Sequence, residues 1–436
     1  MKDDKYFFNF FKQPGLKLNK IEKELNAEAK VSIITSYFNS KEFMWQTINC
    51  VLNQTFPFWE WIVVDDGSTN KEDIEFLEEL KRIDNRIKVL RKENEGLAKG
   101  RDYAIKYSST NYILPLDADD LIEPTYIETL YWTLETNPNA TWAFTNSLGF
   151  GKYIYFADEL FDSNIMKTRN QITATALIRK EKILELNGYG VAKRYVNEDW
   201  HLWLRMLANG NFPIQATFYG FWYRRRESSL LSDINDEKKE ENKLRLRDIK
   251  IEADKIKKRI VSVVYPDNND TEKLEYNKLE YSNLRFINKK NSILYIINEI
   301  GFNKRLEKEV KKKSKQNDIY IVSLENTDKS QYANRQNLEK YATAFNLTSF
   351  LNKKYFKGFI EYIIDTRKIE SIYISNDCKE KESIINNFKN WKYIQCSNSN
   401  YIYNLNIIKY KVGKTLVIRA IKKILRIILK KERMEY

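Results

Sequence analysis

Cysteine and histidine are scarce in this chain. Three cysteines in 436 residues (Cys50, Cys378 and Cys396) exclude a disulfide framework and match no metal-ligand spacing, which points to a reducing compartment. The single histidine, His201, lies between Trp200 and Trp203 in a helical pattern, a setting that favours packing over metal binding. Long apolar runs are missing as well. No window approaches the roughly 18 residues that a spanning helix needs. The early patch "YFFNFF" is too short for a signal core and lacks a small-residue cleavage site. A cytoplasmic protein without a membrane span is expected. No G-x-G-x-x-G follows a strand and no G-x-x-x-x-G-K-[ST] occurs, which argues against a dinucleotide fold and a P-loop.

The chain has enough apolar residues to build cores, at 42% hydrophobic, and enough length for two or three domains. Its charge is divided unevenly. Residues 1–230 hold 30 Lys+Arg against 32 Asp+Glu, whereas residues 231–436 hold 44 against 28. The basic half suits an anionic surface. Within residues 31–135, apolar runs that end in turn residues alternate with helical patterns. The runs are "VSIITSYF" (31–38), "WIVVDDG" (61–67), "IKVL" (87–90) and "YILPLD" (112–117); the helical patterns cover 41–54, 71–84 and 97–109. Ser68, Thr69 and Asn70 offer caps for the second helix. This alternation predicts βαβ crossovers and a mainly parallel sheet, with ligands beyond the carboxyl ends of its strands. Ser36, Asp65, Asp66, Asp117 and Asp119 all fall at such ends.

Those acids have a chemistry. Asp117 and Asp119, one residue apart after a buried strand, can aim at one hard cation. Mg²⁺ and Mn²⁺ favour oxygen ligands and share substrate phosphate oxygens. An acidic turn taken alone is ordinary solvated surface. Here "VVDDGSTN" (63–70) adds two carboxylates able to accept from a base or ribose. "ENEGLAKGRDYAI" (93–105) adds Lys99 and Arg101 at a helix opening, which suits a diphosphate. Arg224–Arg226 form a basic turn that could also reach phosphate. Trp142, Trp200, Trp203, Trp222 and Tyr223 are expected mostly in the core.

The order of these elements resembles the family 2 glycosyltransferases of the GT-A fold. "VSIITSYFN", Val64–Thr69, Asn94 with Gly96 and Gly100-Arg101-Asp102, Asp117 with Asp119, and "NEDWHLWLRM" (197–206) match the family's successive motifs over residues 30–230. Ser36 stands where the family has Pro, and Phe38 where it has Tyr. The resemblance implies that Ser36, Phe38, Asn39, Asp65, Asp66, Arg101, Asp117 and Ala118 bind a nucleotide-sugar, with the donor taken as UDP-linked. It also implies that Asp119 and Asp117 hold Mn²⁺ or Mg²⁺, and that Asp199, with Glu198 beside it, is the catalytic base of an inverting transfer. A helix cap is the plain alternative for Glu198 and Asp199. A nucleotide-sugar-binding scaffold without turnover is the alternative for the whole chain.

The expected architecture is α/β. An N-terminal extension (1–30) precedes a GT-A-like, mainly parallel nucleotide-sugar domain (31–230) and a charged helical linker (231–290). A second Rossmann-like α/β domain (291–410) and a basic amphipathic C-terminal helix (411–436) follow. Residues 291–326 and 356–377 loosely resemble the first half of family 4, GT-B glycosyltransferases. No second Rossmann-like half follows, so an accessory role is expected there. In the tail, Val417, Ile421, Ile424 and Ile428 recur at helical spacing among basic residues. Such a helix would lie on an anionic membrane surface or dock on the protein body, and both readings stay open. The expected partners are a nucleotide-sugar donor and a glycan or lipid-linked glycan acceptor of the cell envelope. A peripheral place at the inner membrane face fits, and no nucleic acid is expected.

Overall fold

Apolar runs that end in polar residues become strands, and the amphipathic runs between them become covering helices. The computed structural model describes residues 14–15, 28–190, 197–227, 239–262, 279–280, 291–300, 304–325, 332–375, 393–396 and 402–407. The first unit begins β1 (Val31–Tyr37), α1 (Lys41–Leu52), β2 (Trp59–Asp66), α2 (Lys71–Leu80), β3 (Ile87–Lys92), α3 (Leu97–Tyr107) and β4 (Tyr112–Pro115). These four strands pair in parallel in the order β3-β2-β1-β4. Every residue of β2 is buried, as a strand covered on both faces requires. On α1 the residues Met44, Ile48 and Val51 form the buried stripe. Asn70 occupies the N-cap of α2 but makes no side-chain cap bond. Its amide turns to Asp73 Oδ2 at 3.3 Å instead, which corrects the expected cap.

The chain continues with β5 (Leu121–Ile122), α4 (Tyr126–Glu135), β6 (Trp142–Gly151), β7 (Tyr155–Ala157), α5 (Ser163–Met166), β8 (Leu177–Arg179), α6 (Lys180–Glu185), α7 (Glu198–Ala208) and β9 (Pro213–Arg225). Beyond β4 the sheet runs β8-β6-β9-β5, with β7 paired to β6, and mixes antiparallel with parallel pairing. This is the mixed, mostly parallel α/β architecture of a GT-A-like fold. The helix α8 (Lys239–Lys255) falls in the segment read as a linker. It packs on this first unit: Ile249, Ala253 and Ile256 join the core that holds Leu202 and Leu207 of α7. Three apolar residues at helical spacing were hidden among the charges.

A second sheet comprises β10 (Ser292–Ile297), α9 (Lys304–Lys313), β11 (Asp318–Ser323), α10 (Tyr332–Glu339), β12 (Thr343–Asn346), α11 (Phe356–Thr366), β13 (Ile369–Ser375), β14 (Tyr393–Cys396) and β15 (Ile402–Ile407). Its order is β12-β11-β10-β13-β15-β14, parallel through β13 and antiparallel after it. The basic tail, 411–436, lies outside the described residues. Among the described residues no helix is long and apolar enough to cross a membrane.

The two sheets meet through α4 and α11. Trp132 packs edge-on against Tyr362, with ring centroids 4.9 Å apart. Beside them Glu128, fully buried, accepts from Arg367 Nη2 at 2.6 and 2.8 Å, from Tyr362 Oη at 2.6 Å and from Thr55 Oγ1 at 2.6 Å. A buried ion pair contributes little net stability, because both charges are desolvated. Deleting one partner is costly, at about 3–5 kcal/mol, because the other charge is stranded. Arg367→Met should therefore lower the urea unfolding free energy by about 3–5 kcal/mol, and adding Glu128→Met should recover part of that loss. A single-variant loss below about 1 kcal/mol would show that water or other groups satisfy Glu128.

Candidate active site

The carboxyl ends of β1, β2 and β4 converge with the start of α3. Ser36, half-buried at the end of β1, lies against Gly100; a Cβ on Gly100 would sit 2.1 Å from Ser36 Oγ. Glycine is therefore required for this close approach. Phe38 is 44% exposed, so its ring is available for stacking. Asn39, in the left-handed region with φ +44, accepts from the Thr69 and Asn70 amides at 3.1 and 3.2 Å and donates to Thr69 Oγ1 at 3.0 Å. It ties the loop after β1 to the loop after β2.

Asp65 and Asp66 are both buried and both engaged within the protein. Asp65 accepts from the Ser68 amide at 2.8 Å and from Arg91 Nη1 at 2.7 Å. Asp66 accepts from Lys92 Nζ at 2.8 Å and from the Glu95 and Gly96 amides at 3.1 and 2.7 Å. Asp66 thus shapes the loop into α3.

The acidic turn follows β4. Thr47 Oγ1 of α1 donates to the carbonyls of Ala118 and Asp120 at 3.0 and 2.9 Å. Ala118 is buried, so its contribution is backbone shape. Asp117 accepts from Arg101 Nη2 at 2.6 Å. Asp119 pairs with Arg226 Nη2 at 2.6 Å, and its carbonyl accepts from Arg224 Nε at 2.7 Å. Burial, and then Asp117, push the Asp119 carboxyl up against the pull of Arg226. Asp120 is buried and accepts from the Arg224 amide at 2.8 Å. Burial and its two acidic neighbours hold it toward the neutral form. The turn therefore divides into two outward acids and one inward acid.

Arg101 organises the other side. Its side chain is only 1% exposed, and its two terminal nitrogens reach Asp117 and Glu198 at 2.6 Å each. Its guanidinium is turned inward between two acids, with Asp117 at the edge of the site and Glu198 behind it. Glu198 opens α7 and is buried, and burial raises its carboxyl despite Arg101. Its carboxylate is held by Arg101, beside the Asp199 that follows it. Asp199, next in the helix, receives Asn170 Nδ2 at 3.0 Å and the Trp200 amide at 2.7 Å. Burial, and then Glu198, push its carboxyl up to about 7. An acid in that range can take a proton near neutral pH.

His201, Trp142, Trp203 and Trp222 are buried in the core, and Trp142 stacks on Trp203 with centroids 5.2 Å apart. Sequence reasoning passed over Asn170, which carries no motif, and the pairing of Arg226 with Asp119, whose partners are remote in the chain. Among the described residues no cluster of three or more His, Cys, Asp or Glu is placed to hold a metal. The protein's own donors at this edge are Asp117 and Asp119, hard oxygen ligands that each meet a guanidinium, Arg101 on Asp117 and Arg226 on Asp119. That set fits a Mg²⁺ or Mn²⁺ that draws its remaining ligands from a substrate.

Residues 32–183 match the family model described as Glycosyl transferase family 2. Over these residues the chain is similar to glycosyltransferase family 2. An uncharacterized glycosyltransferase of Rickettsia bellii is 41% identical over 119 residues, 27% of this chain and 17% of that protein. TuaG of Bacillus subtilis, a glycosyltransferase named for teichuronic acid biosynthesis, is 29% identical over 195 residues, 42% of this chain and 75% of that protein. A crystal structure of S. aureus TarS 1–349 with UDP-GlcNAc aligns at 21% identity and a TM-score of 0.41, covering 47% of this chain and 60% of that one. The chain thus spans less than a fifth of the Rickettsia relative and about a third of two other family relatives.

The raised Asp199 carboxyl gives the first unit a testable stability signature. Its folded pKa lies above the unfolded value, so the folded state binds more protons between about pH 4 and 7, and stability falls as pH rises through that window. Asp199→Asn should resist urea better than the parent at pH 7.5, with the gain shrinking toward pH 4. A difference that is flat across that range would show that Asp199 is not held in its neutral form.

Proposed function

We propose that the protein is an inverting, metal-dependent glycosyltransferase. It moves a sugar from a UDP-linked donor to a hydroxyl of a cell-envelope polysaccharide, a lipid-linked glycan or a similar acceptor. One observation carries this reading: Arg101 links the outward acid Asp117, at the donor edge, to Glu198, beside the proton acceptor Asp199. The family match and the likeness to TuaG support a polysaccharide acceptor.

The roles follow from the side chains. Phe38 offers its exposed ring to the base, and Asn39 holds the loop that presents it. Asp117 and Asp119 would hold Mg²⁺ or Mn²⁺, whose charge would stabilise the departing nucleotide diphosphate. Asp199 takes the proton of the acceptor hydroxyl as that oxygen attacks the anomeric carbon on the face opposite the leaving group. One displacement of this kind inverts the configuration. Asn170 and the Trp200 amide fix the Asp199 oxygens for that transfer. The basic tail, 411–436, would bring the enzyme to the cytoplasmic face of an anionic membrane, where lipid-linked acceptors reside.

Transfer is checked by following UDP release from UDP-sugars with Mn²⁺ and an envelope glycan acceptor. Below about pH 7, kcat/KM should rise about tenfold per pH unit, because the base must be ionised. Asp199→Asn should lower kcat by about 10²–10⁴-fold. Full activity in that variant, or donor binding without turnover across a broad acceptor panel, would sink the reading in favour of a binding scaffold.

A further inference from the structure

The acidic edge carries a cation of its own. Arg226 Nη2 stands 2.6 Å from Asp119 Oδ2, with the Arg226 side chain 38% exposed and that of Asp119 16% exposed. Its neighbour Arg224 is held differently. Arg224 donates to the Asp119 carbonyl at 2.7 Å and to Gln46 Oε1 at 2.5 Å, and its guanidinium lies 4.3 Å from the Phe43 ring centroid and 4.5 Å from that of Phe150. It is a fixed part of the wall. Strand alternation places residues 224 and 226 on the same side, but the pairing of β9 ends at Arg225. Arg226 therefore stands at the last point where the strand is anchored, with one ion pair and a ring contact to Phe43 at 5.6 Å.

We propose that the Arg226–Asp119 ion pair is a placeholder: the guanidinium occupies the cation position of the acidic edge and passes to the donor diphosphate when a divalent ion binds. This rests on reading Asp117 and Asp119 as the metal edge. Asp119 shares its turn with Asp117, which Arg101 already holds, and with the buried Asp120, so the Asp119 carboxylate is favoured by a cation of its own between turnovers. A divalent ion and a guanidinium cannot share Asp119 Oδ2 without strong repulsion. The displaced guanidinium is then beside the incoming phosphates, for which its planar fork is well matched. The two roles oppose each other in a measurable way, since Arg226 competes with the metal and assists the nucleotide.

Calorimetric titration of the full chain separates these roles, first with Mn²⁺ alone and then with UDP at saturating Mn²⁺. Arg226→Gln should bind Mn²⁺ alone about threefold to tenfold more tightly and bind UDP with Mn²⁺ about tenfold more weakly, an effect of the size expected for one partly exposed charge contact. Arg226→Lys should fall between, having the charge without the fork. If both affinities move in the same direction, or neither moves, the placeholder is overturned. If Mn²⁺ binds the parent and Arg226→Gln equally but is lost in Asp119→Ala, the metal edge stands and only the placeholder fails. If Mn²⁺ binds neither protein, with or without UDP, the metal reading fails and the placeholder fails with it.

Discussion

Arg101 is the interaction on which the rest of the site depends. A guanidinium with 1% exposure is tolerable only where acids face it, and two do so from distant parts of the chain. Asp117 comes from the turn after β4 and Glu198 from the first turn of α7. The Tyr189 ring lies 5.5 Å below the same group. Each acid would be costly so close to the other without the cation, and the cation would be costly without them. The constraint is mutual. It fixes the start of α7, and therefore Asp199, against the end of the parallel sheet.

The acidic turn is held by similar reciprocity. Thr47 fixes its carbonyls from α1, and Arg224 fixes Asp119 and Asp120 from β9. Just after the turn, Glu123 accepts from Trp222 Nε1 at 2.8 Å, and burial with Glu339 of the second unit pushes its carboxyl up to about 8. A short peptide segment is thus set from two separate elements, α1 and β9. That is how acids that would spread apart in water come to share one edge.

The parallel half of the first sheet was legible in the sequence because its strands are continuous apolar runs that end in acids and turns. The helical stretches at 71–84 and 97–109 correspond to Lys71–Leu80 and Leu97–Tyr107. β6 and β9 were not legible. Nearly every residue of β6 is buried, so it shows no two-residue alternation, and β9 is much the same. The helix Lys239–Lys255 hid its Ile249 and Ala253 among charges. For the site, the acids announced themselves as motifs, whereas their partners did not. Arg101 stands out beside a glycine, but the two acids it meets come from parts of the chain that no local pattern joins, and Asn170 belongs to no pattern at all.

The buried contact of Glu128 with Arg367 and Tyr362 bears on ancestry. Each half of the chain carries one side of this charge pair, Glu128 in the first and Arg367 in the second. Recombination that supplied a different second domain would have to bring its own guanidinium to Glu128, or replace Glu128 in the same step. A change on this face of α4 is therefore answerable to residues more than two hundred positions away.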